Sequence, residues 1–403
     1  MNNAGNSSWL LIALLSTGHF FSDFYNTFLP ALLPAASANL GLSLTATGSL
    51  IMVYSLTSSI LQPVLGYYID KHGWTWLILC TIPVSALFIC LAGMVTNYWQ
   101  LFTCITLAGL ASSLFHPLGS AMLNKTTSHC NKGISMALFI GGGNLGVAIA
   151  PAFVLYYLFR FGTDQLLWLA VPGIVLGLAC YVGKVHQIPI SRTAAERIQL
   201  AGHAVPWYRS GNLLKLNIVM GLRSWPQAAI PNFLVLWLAQ QGHASALAGG
   251  MLTVFLLGGA LGSIGGGYVG DRYGRKNCII ASLLLCIPAL YFFLTAHSVT
   301  PSTYLLLGLS GAALQGTLPS SILWAQEMLP ANAAMASGMM LGLSFGLGGM
   351  GAAVTGALAD YIGLQAALLW SLPALALAGF ITYFIPDTKG CYPASLTIIK
   401  QTK

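Results

Sequence analysis

Apolar runs of membrane-crossing length alternate with short polar breaks from residue 9 almost to the end of the chain. A bilayer core takes about 20 apolar residues per helix. Twelve runs meet that length: 9–37, 44–69, 75–95, 99–123, 134–158 and 165–184, then 212–240, 246–269, 277–296, 301–325, 334–360 and 364–385. Backbone in lipid has to satisfy its own hydrogen bonds, so each run is predicted as a helix. One long polar stretch, 185–211, carries Arg192, Glu196, Arg197 and Arg209 and separates 1–184 from 212–403. The expectation is an all-α membrane protein of twelve transmembrane helices, with two six-helix halves joined by a cytoplasmic linker.

The halves repeat one another. GYVGDRYGRK, from Gly267 to Lys276, has a blurred echo in GYYIDKHGWT, from Gly66 to Thr75. Asp70 and Asp271, Gly66 and Gly267, and Gly73 and Gly274 are each 201 positions apart. Pro30 and Pro231 share that offset, and Pro117 and Pro319 follow it with one extra residue. A parallel six-plus-six repeat with pseudo-two-fold symmetry is a transporter architecture, and it puts substrate near the midplane between the halves.

Composition agrees: 56% of residues are hydrophobic and 6% charged, against roughly a quarter charged in a soluble domain. The first run carries His19 and Asp23 and lacks a small-residue cleavage pattern, so it reads as a helix of the mature protein. The net charge of +8 is mostly an orientation signal. Every Lys or Arg except Arg160 and Arg223 falls on the side of the two termini, which the positive-inside rule makes cytoplasmic in a bacterial inner membrane. The cations form no patch, so the partner is the lipid bilayer and no nucleic acid is implied. The eight cysteines stand singly and read as reduced packing residues. GGGNLG at 141–146 and GLGGMG at 346–351 match a dinucleotide fingerprint, but both lie inside membrane-length apolar runs with no strand before them. With no Walker A lysine, HExxH or GxSxG elbow either, no cofactor and no enzymatic chemistry are predicted.

Charges inside the runs cost about 2.5–3.5 kcal/mol each when they face lipid, so each needs a reason. His19 and Asp23 are four apart and share a helix face. His116 precedes Pro117, whose missing N–H permits a bend, and Arg223 lies in the seventh run. Asp23 is expected to load and release protons, with His19 and His116 sharing or relaying them; a static packing role for the histidines is the alternative. Arg223 keeps its charge and has to meet Asp23, helix carbonyls or an anionic group on substrate. Phe115, Tyr25 and Trp225 are expected beside Arg223 as substrate contacts. No metal site is expected from His19, Asp23 and His116, since no fuller ligand cluster shows in the sequence. Asp70, Lys71, Asp271, Arg272, Arg275 and Asp360 are expected to gate. Asp70 and Asp271 would accept bonds from a neighbouring helix N-terminus, and Asp360 would latch against the first loop. Trp74 and Thr75 stand where the second copy has Arg275 and Lys276, so the two gates should differ in strength.

GYVGDRYGRK resembles the signature loop of the major facilitator superfamily. SILQPVLGYYIDK (59–71), SSLFHP (112–117), GGNLG (142–146), AQEMLP (325–330) and GLSFGLGGMGAAVTGALAD (342–360) resemble its fosmidomycin-resistance efflux branch. The resemblance implies that helices 1, 4, 7 and 10 line a central cavity and that helices 2, 5, 8 and 11 form the contact between halves. Small residues recur every fourth position in three of the latter, at Gly142, Gly146 and Ala150, at Gly258, Gly262 and Gly266, and at Gly338, Gly342 and Gly346. These rows are expected to let the halves rock. The branch carries an acidic residue and then an arginine after its histidine-proline pair, where this chain has Leu118 and Ala121. A different substrate or different coupling is implied.

The expectation is a monomeric secondary transporter that moves a small organic molecule by alternating access, as a proton-coupled exporter. The alternatives are an importer or exporter of an anionic metabolite such as a carboxylate siderophore and, from another class, a non-transporting membrane sensor.

Overall fold

A computed structural model describes residues 9–29, 32, 36, 39–42, 46, 50, 53–54, 56–128, 131–190 and 207–387. Pro30, Cys130, Cys391 and the linker residues Arg192, Glu196 and Arg197 lie outside them. The described residues are helical where the apolar runs predict it. The helices are α1 Trp9–Asn26, α2 Gln62–His72, α3 Ile78–Leu91, α4 Tyr98–Thr126, α5 Lys132–Phe161 and α6 Val171–Val182, then α7 Gly211–Gln240, α8 Ser245–Tyr273, α9 Arg275–Leu294 and α10 Pro301–Met328. The eleventh run is α11 Ala333–Gly338 and α12 Ser344–Ile362, and the twelfth is α13 Leu364–Leu369 and α14 Leu372–Tyr383. Two π-helical turns interrupt the pattern, Leu56–Ile60 ahead of α2 and Met339–Leu343 between α11 and α12. Among the described residues six helices are long and apolar enough to cross a membrane.

Local chemistry sets the ends. The Asn97 side chain accepts from the Gln100 N–H and caps α4, and a Thr300–Thr303 capping box opens α10. The signature-loop glycines Gly73 and Gly274 close α2 and α8 at φ 67° and 92°, a region that favours glycine.

The chain forms two compact units. The first comprises 1–127, 141–203 and 331–342, the second 128–140, 204–330 and 343–403. In the first, the fully buried Tyr25 hydroxyl donates to the Leu169 carbonyl (2.8 Å) and accepts from the Gly173 N–H (3.0 Å), tying α1 to the start of α6. Both of its bonding roles are used in packing, so the expected substrate contact at Tyr25 is replaced by a structural tie. In the second, α8 lies directly on α10. A Cβ at Gly258, Gly262 or Gly266 would strike the backbone of Gly308, Ala312 or Gly316.

That packing corrects the expectation for the glycine rows. Gly142 and Gly146 sit on the backbone of α1 at Ser16 and Phe20, within their own half, and the α8 row sits on α10 within its own half. Both rows weld helices of one half together, because small residues give backbones close approach wherever the neighbour is. Of the third row, Gly338 and Gly342 do meet the second helix, at the carbonyls of Gln62 and Ser59.

Candidate functional site

The first unit gathers three ionisable groups from α1 and α4. Gly18 makes room for the Phe115 ring, since a Cβ there would lie 2.8 Å from its Cζ. With α4 that close, His116 reaches the His19–Asp23 face of α1. His19 Nε2 lies 3.3 Å from Asp23 Oδ2, His116 Nε2 lies 3.3 Å from Asp23 Oδ1, and His116 Nδ1 lies 3.2 Å from His19 Nε2. His19 and His116 are buried, while Asp23 keeps 17% of its side-chain surface. The Ser120 hydroxyl donates to the His116 carbonyl at 2.7 Å and braces the turn that contains Pro117. Phe115 is buried beside both imidazoles, with ring centroids 6.1 Å from each. Leu118 and Ala121, at the places where the efflux branch is charged, are buried too.

Arg223 belongs to the second unit and is fully buried. Its Nε and Nη2 donate to the Leu314 carbonyl at 2.8 and 2.6 Å, and Nη2 donates to Gln315 Oε1 at 2.5 Å. Its Nη1 donates to nothing among the described residues. Trp225, two residues along, gives its indole N–H to Thr355 Oγ1 at 2.8 Å and packs on Gly351. A guanidinium oriented on two sides with a third donor open is suited to an anionic oxygen.

The signature loops hold two acids against helix starts. Asp70 accepts from the N–H groups of Ala334 (3.1 Å) and Met335 (2.9 Å). It lies just past the apolar run that ends at 69, and burial pushes its carboxyl up to about 7 while the two N–H bonds pull the other way. Gly66 lets the segments meet, since a Cβ there would lie 2.6 Å from the Ala334 oxygen. Asp271 accepts from Gly133 (2.8 and 2.7 Å) and Ile134 (3.2 Å) at the start of α5. Arg275 stands 3.8 Å from Asp271 and 2.7 Å from Glu327. Among the described residues no cation pairs with Asp70.

Of the other expected gate residues, Lys71 is exposed beside Asp70, Arg272 donates to the Tyr268 hydroxyl at 2.7 Å, and Asp360 is exposed near the end of α12. Gly143 and Gln315 were not singled out in the sequence. A Cβ at Gly143 would lie 2.5 Å from Asp23 Oδ2 and 2.7 Å from His19 Nε2. A glutamine in an apolar run was the available signal for Gln315. Gly143 falls between rungs of a row and carried none.

The model of the Major Facilitator Superfamily matches residues 15–220 and 216–395. The fosmidomycin resistance protein of Escherichia coli K12 is 27% identical over 397 residues, covering 95% of this chain and 94% of its own. The uncharacterized MFS-type transporter YfnC of Bacillus subtilis 168 is 26% identical, with coverage of 95% and 94%. Among solved structures, the transporter FucP in its outward conformation aligns with a TM-score of 0.72 at 14% identity, over 94% of this chain and 99% of that one.

Proposed function

Given that the chain belongs to the Major Facilitator Superfamily, and so is a membrane transporter and no enzyme, we propose that it is a proton-coupled exporter of a small organic molecule. It works by alternating access, with both termini cytoplasmic. One observation carries the coupling: a carboxylate bracketed by two imidazoles at 3.3 Å, drawn from helices 1 and 4, with its own side chain still partly exposed. A proton arriving at Asp23 has two neighbouring bases to which it can pass, and its charge is spread over the cluster. Asp70, Asp271 and their partners act as the gate at the loop side. The similarity to a fosmidomycin resistance protein supports the outward direction, since resistance follows when a compound is carried out. Asp23→Asn in proteoliposomes should abolish pH-driven transport. Transport persisting at the wild-type rate would sink the coupling role.

A second reading, transport of an anionic metabolite, rests on the open Nη1 donor of Arg223. Arg223→Gln should weaken transport of anionic substrates by tenfold or more while sparing neutral ones, and equal losses for both would mark the residue as structural.

A further inference from the structure

We propose that His19, Asp23 and His116 form a three-ligand site for a borderline divalent ion of the Zn²⁺ or Co²⁺ kind, with Gly143 keeping the space that the ion occupies. The sequence alone sets these three residues aside as a metal site for want of a fuller ligand cluster; the fold brings His116 to His19 across 97 positions.

The distances favour it. A charge-assisted N–H to carboxylate bond is about 2.7–2.9 Å long, whereas the two imidazole–carboxylate contacts measure 3.3 Å and the imidazoles stand 3.2 Å apart, nitrogen to nitrogen. Zn²⁺ bonds of about 2.0–2.1 Å in a tetrahedral shell set neighbouring ligand atoms about 3.3 Å apart. His19 Nε2 stands at two such separations, 3.3 Å from Asp23 Oδ2 and 3.2 Å from His116 Nδ1, and one ligand atom from each residue lies within 4.8 Å of the others. Two imidazoles and one carboxylate form a three-protein-ligand donor set that leaves one position open, and this mixture selects borderline transition metals over Mg²⁺ or Ca²⁺.

The space is built in as well. The point where a Cβ of residue 143 would stand is 2.5 Å from one ligand atom and 2.7 Å from another, so any side chain there would take the ion's place. Gly142 and Gly146 hold α5 against α1 on either side of it. Phe115 packs beside both rings, with its centroid 6.1 Å from each. The exposed edge of Asp23 supplies the entry side. A bound ion uses the lone pairs that a proton would use, so ion and proton exclude one another, and the ion acts as an inhibitor of pH-driven transport.

The site shares residues with the proton-coupling proposal, and its test is read without transport. Full-length protein in detergent, freed of any polyhistidine tag, is titrated with Co²⁺ and followed by its ligand-field absorption. One Co²⁺ per chain is expected, with four-coordinate bands and displacement by Zn²⁺. His116→Gln should weaken binding at least about 100-fold, above the about 10–100-fold that loss of a second-shell partner costs. Gly143→Ala, which removes no ligand, should weaken it comparably. Monodisperse elution and an unchanged metal-free unfolding midpoint establish that each variant is folded. Absence of saturable Co²⁺ uptake by the wild type, or uptake unchanged in both folded variants, overturns the site. Those results leave proton coupling standing. Conversely, Co²⁺ binding together with wild-type transport in Asp23→Asn removes the proton reading and keeps the metal site.

Discussion

Asp70 and Asp271 make the same bond in the two copies of the loop, and their surroundings differ. Asp271 shares Arg275 with Glu327, so its charge is part of an acid–cation–acid network over the uninterrupted helices α5 and α8. Among the described residues Asp70 bonds two N–H groups and no cation, and both segments that it joins run into π turns, Leu56–Ile60 and Met339–Leu343. π turns weaken the local helical ladder and are frequent at functional sites. The difference teaches that an equal hydrogen bond can serve as a fixed staple or as a compliant latch. A paired charge over continuous helix resists opening, whereas an unpaired one beside two π turns yields more readily.

The largest effect should come from wedging either joint. Gly66→Ala puts a methyl 2.6 Å from the Ala334 oxygen, and Gly267→Ala puts one against the Gly133 oxygen. Backbone cannot swing aside as a side chain can, so about 3 kcal/mol of overpacking is expected at each, the upper end for an added methyl group. Thermal unfolding and a transport assay read this, and near-wild-type behaviour of Gly66→Ala alone would show that the first joint already stands open in use.

Next comes Arg275→Gln, which strands Glu327 and Asp271 together. About 2 kcal/mol of destabilisation is expected, below the value for a fully buried pair because Glu327 keeps 31% of its side-chain surface. Among the described residues no cation plays this part at Asp70, so a like-sized loss on Lys71→Gln would break the contrast between the joints.

The smallest effect is a change in pH response. Burial raises the Asp70 carboxyl from its ordinary 3.8 to about 7, so the latched arrangement holds a proton more tightly than the open one. Latching therefore strengthens as pH falls from about 7 towards 4 and weakens as pH rises through that window. A thiol-labelling probe on the loop side should be severalfold less reactive at the acid end, and Asp70→Asn should flatten most of that dependence; burial raises the Asp271 carboxyl as well, so Asp271→Asn should trim it in the same sense.

Run length, loop spacing and the offset of 201 made the helices and the repeat legible, because a bilayer fixes how long an apolar segment must be. His19 and Asp23 were legible as a pair through helical spacing. His116 was named with them as an ionisable group in an apolar run, but its contact with both depends on Gly18 admitting Phe115, an approach between helices that no local pattern encodes. Small-residue spacing revealed that helices approach closely and left open which ones, hence the misplaced glycine rows on α5 and α8. Tyr25 looked like a cavity aromatic because its bonding partners, Leu169 and Gly173, are remote in sequence.

The Tyr25 tie also sets a schedule for biosynthesis. Its acceptor bond spans 148 residues, which a ribosome adding roughly 5–20 residues per second needs about 7–30 s to supply. Until then α1 stays in the membrane without its closing partner. Asp23 has only His19 for company until α4 has been made, so the newborn half depends on water or the insertion machinery to shelter that acid.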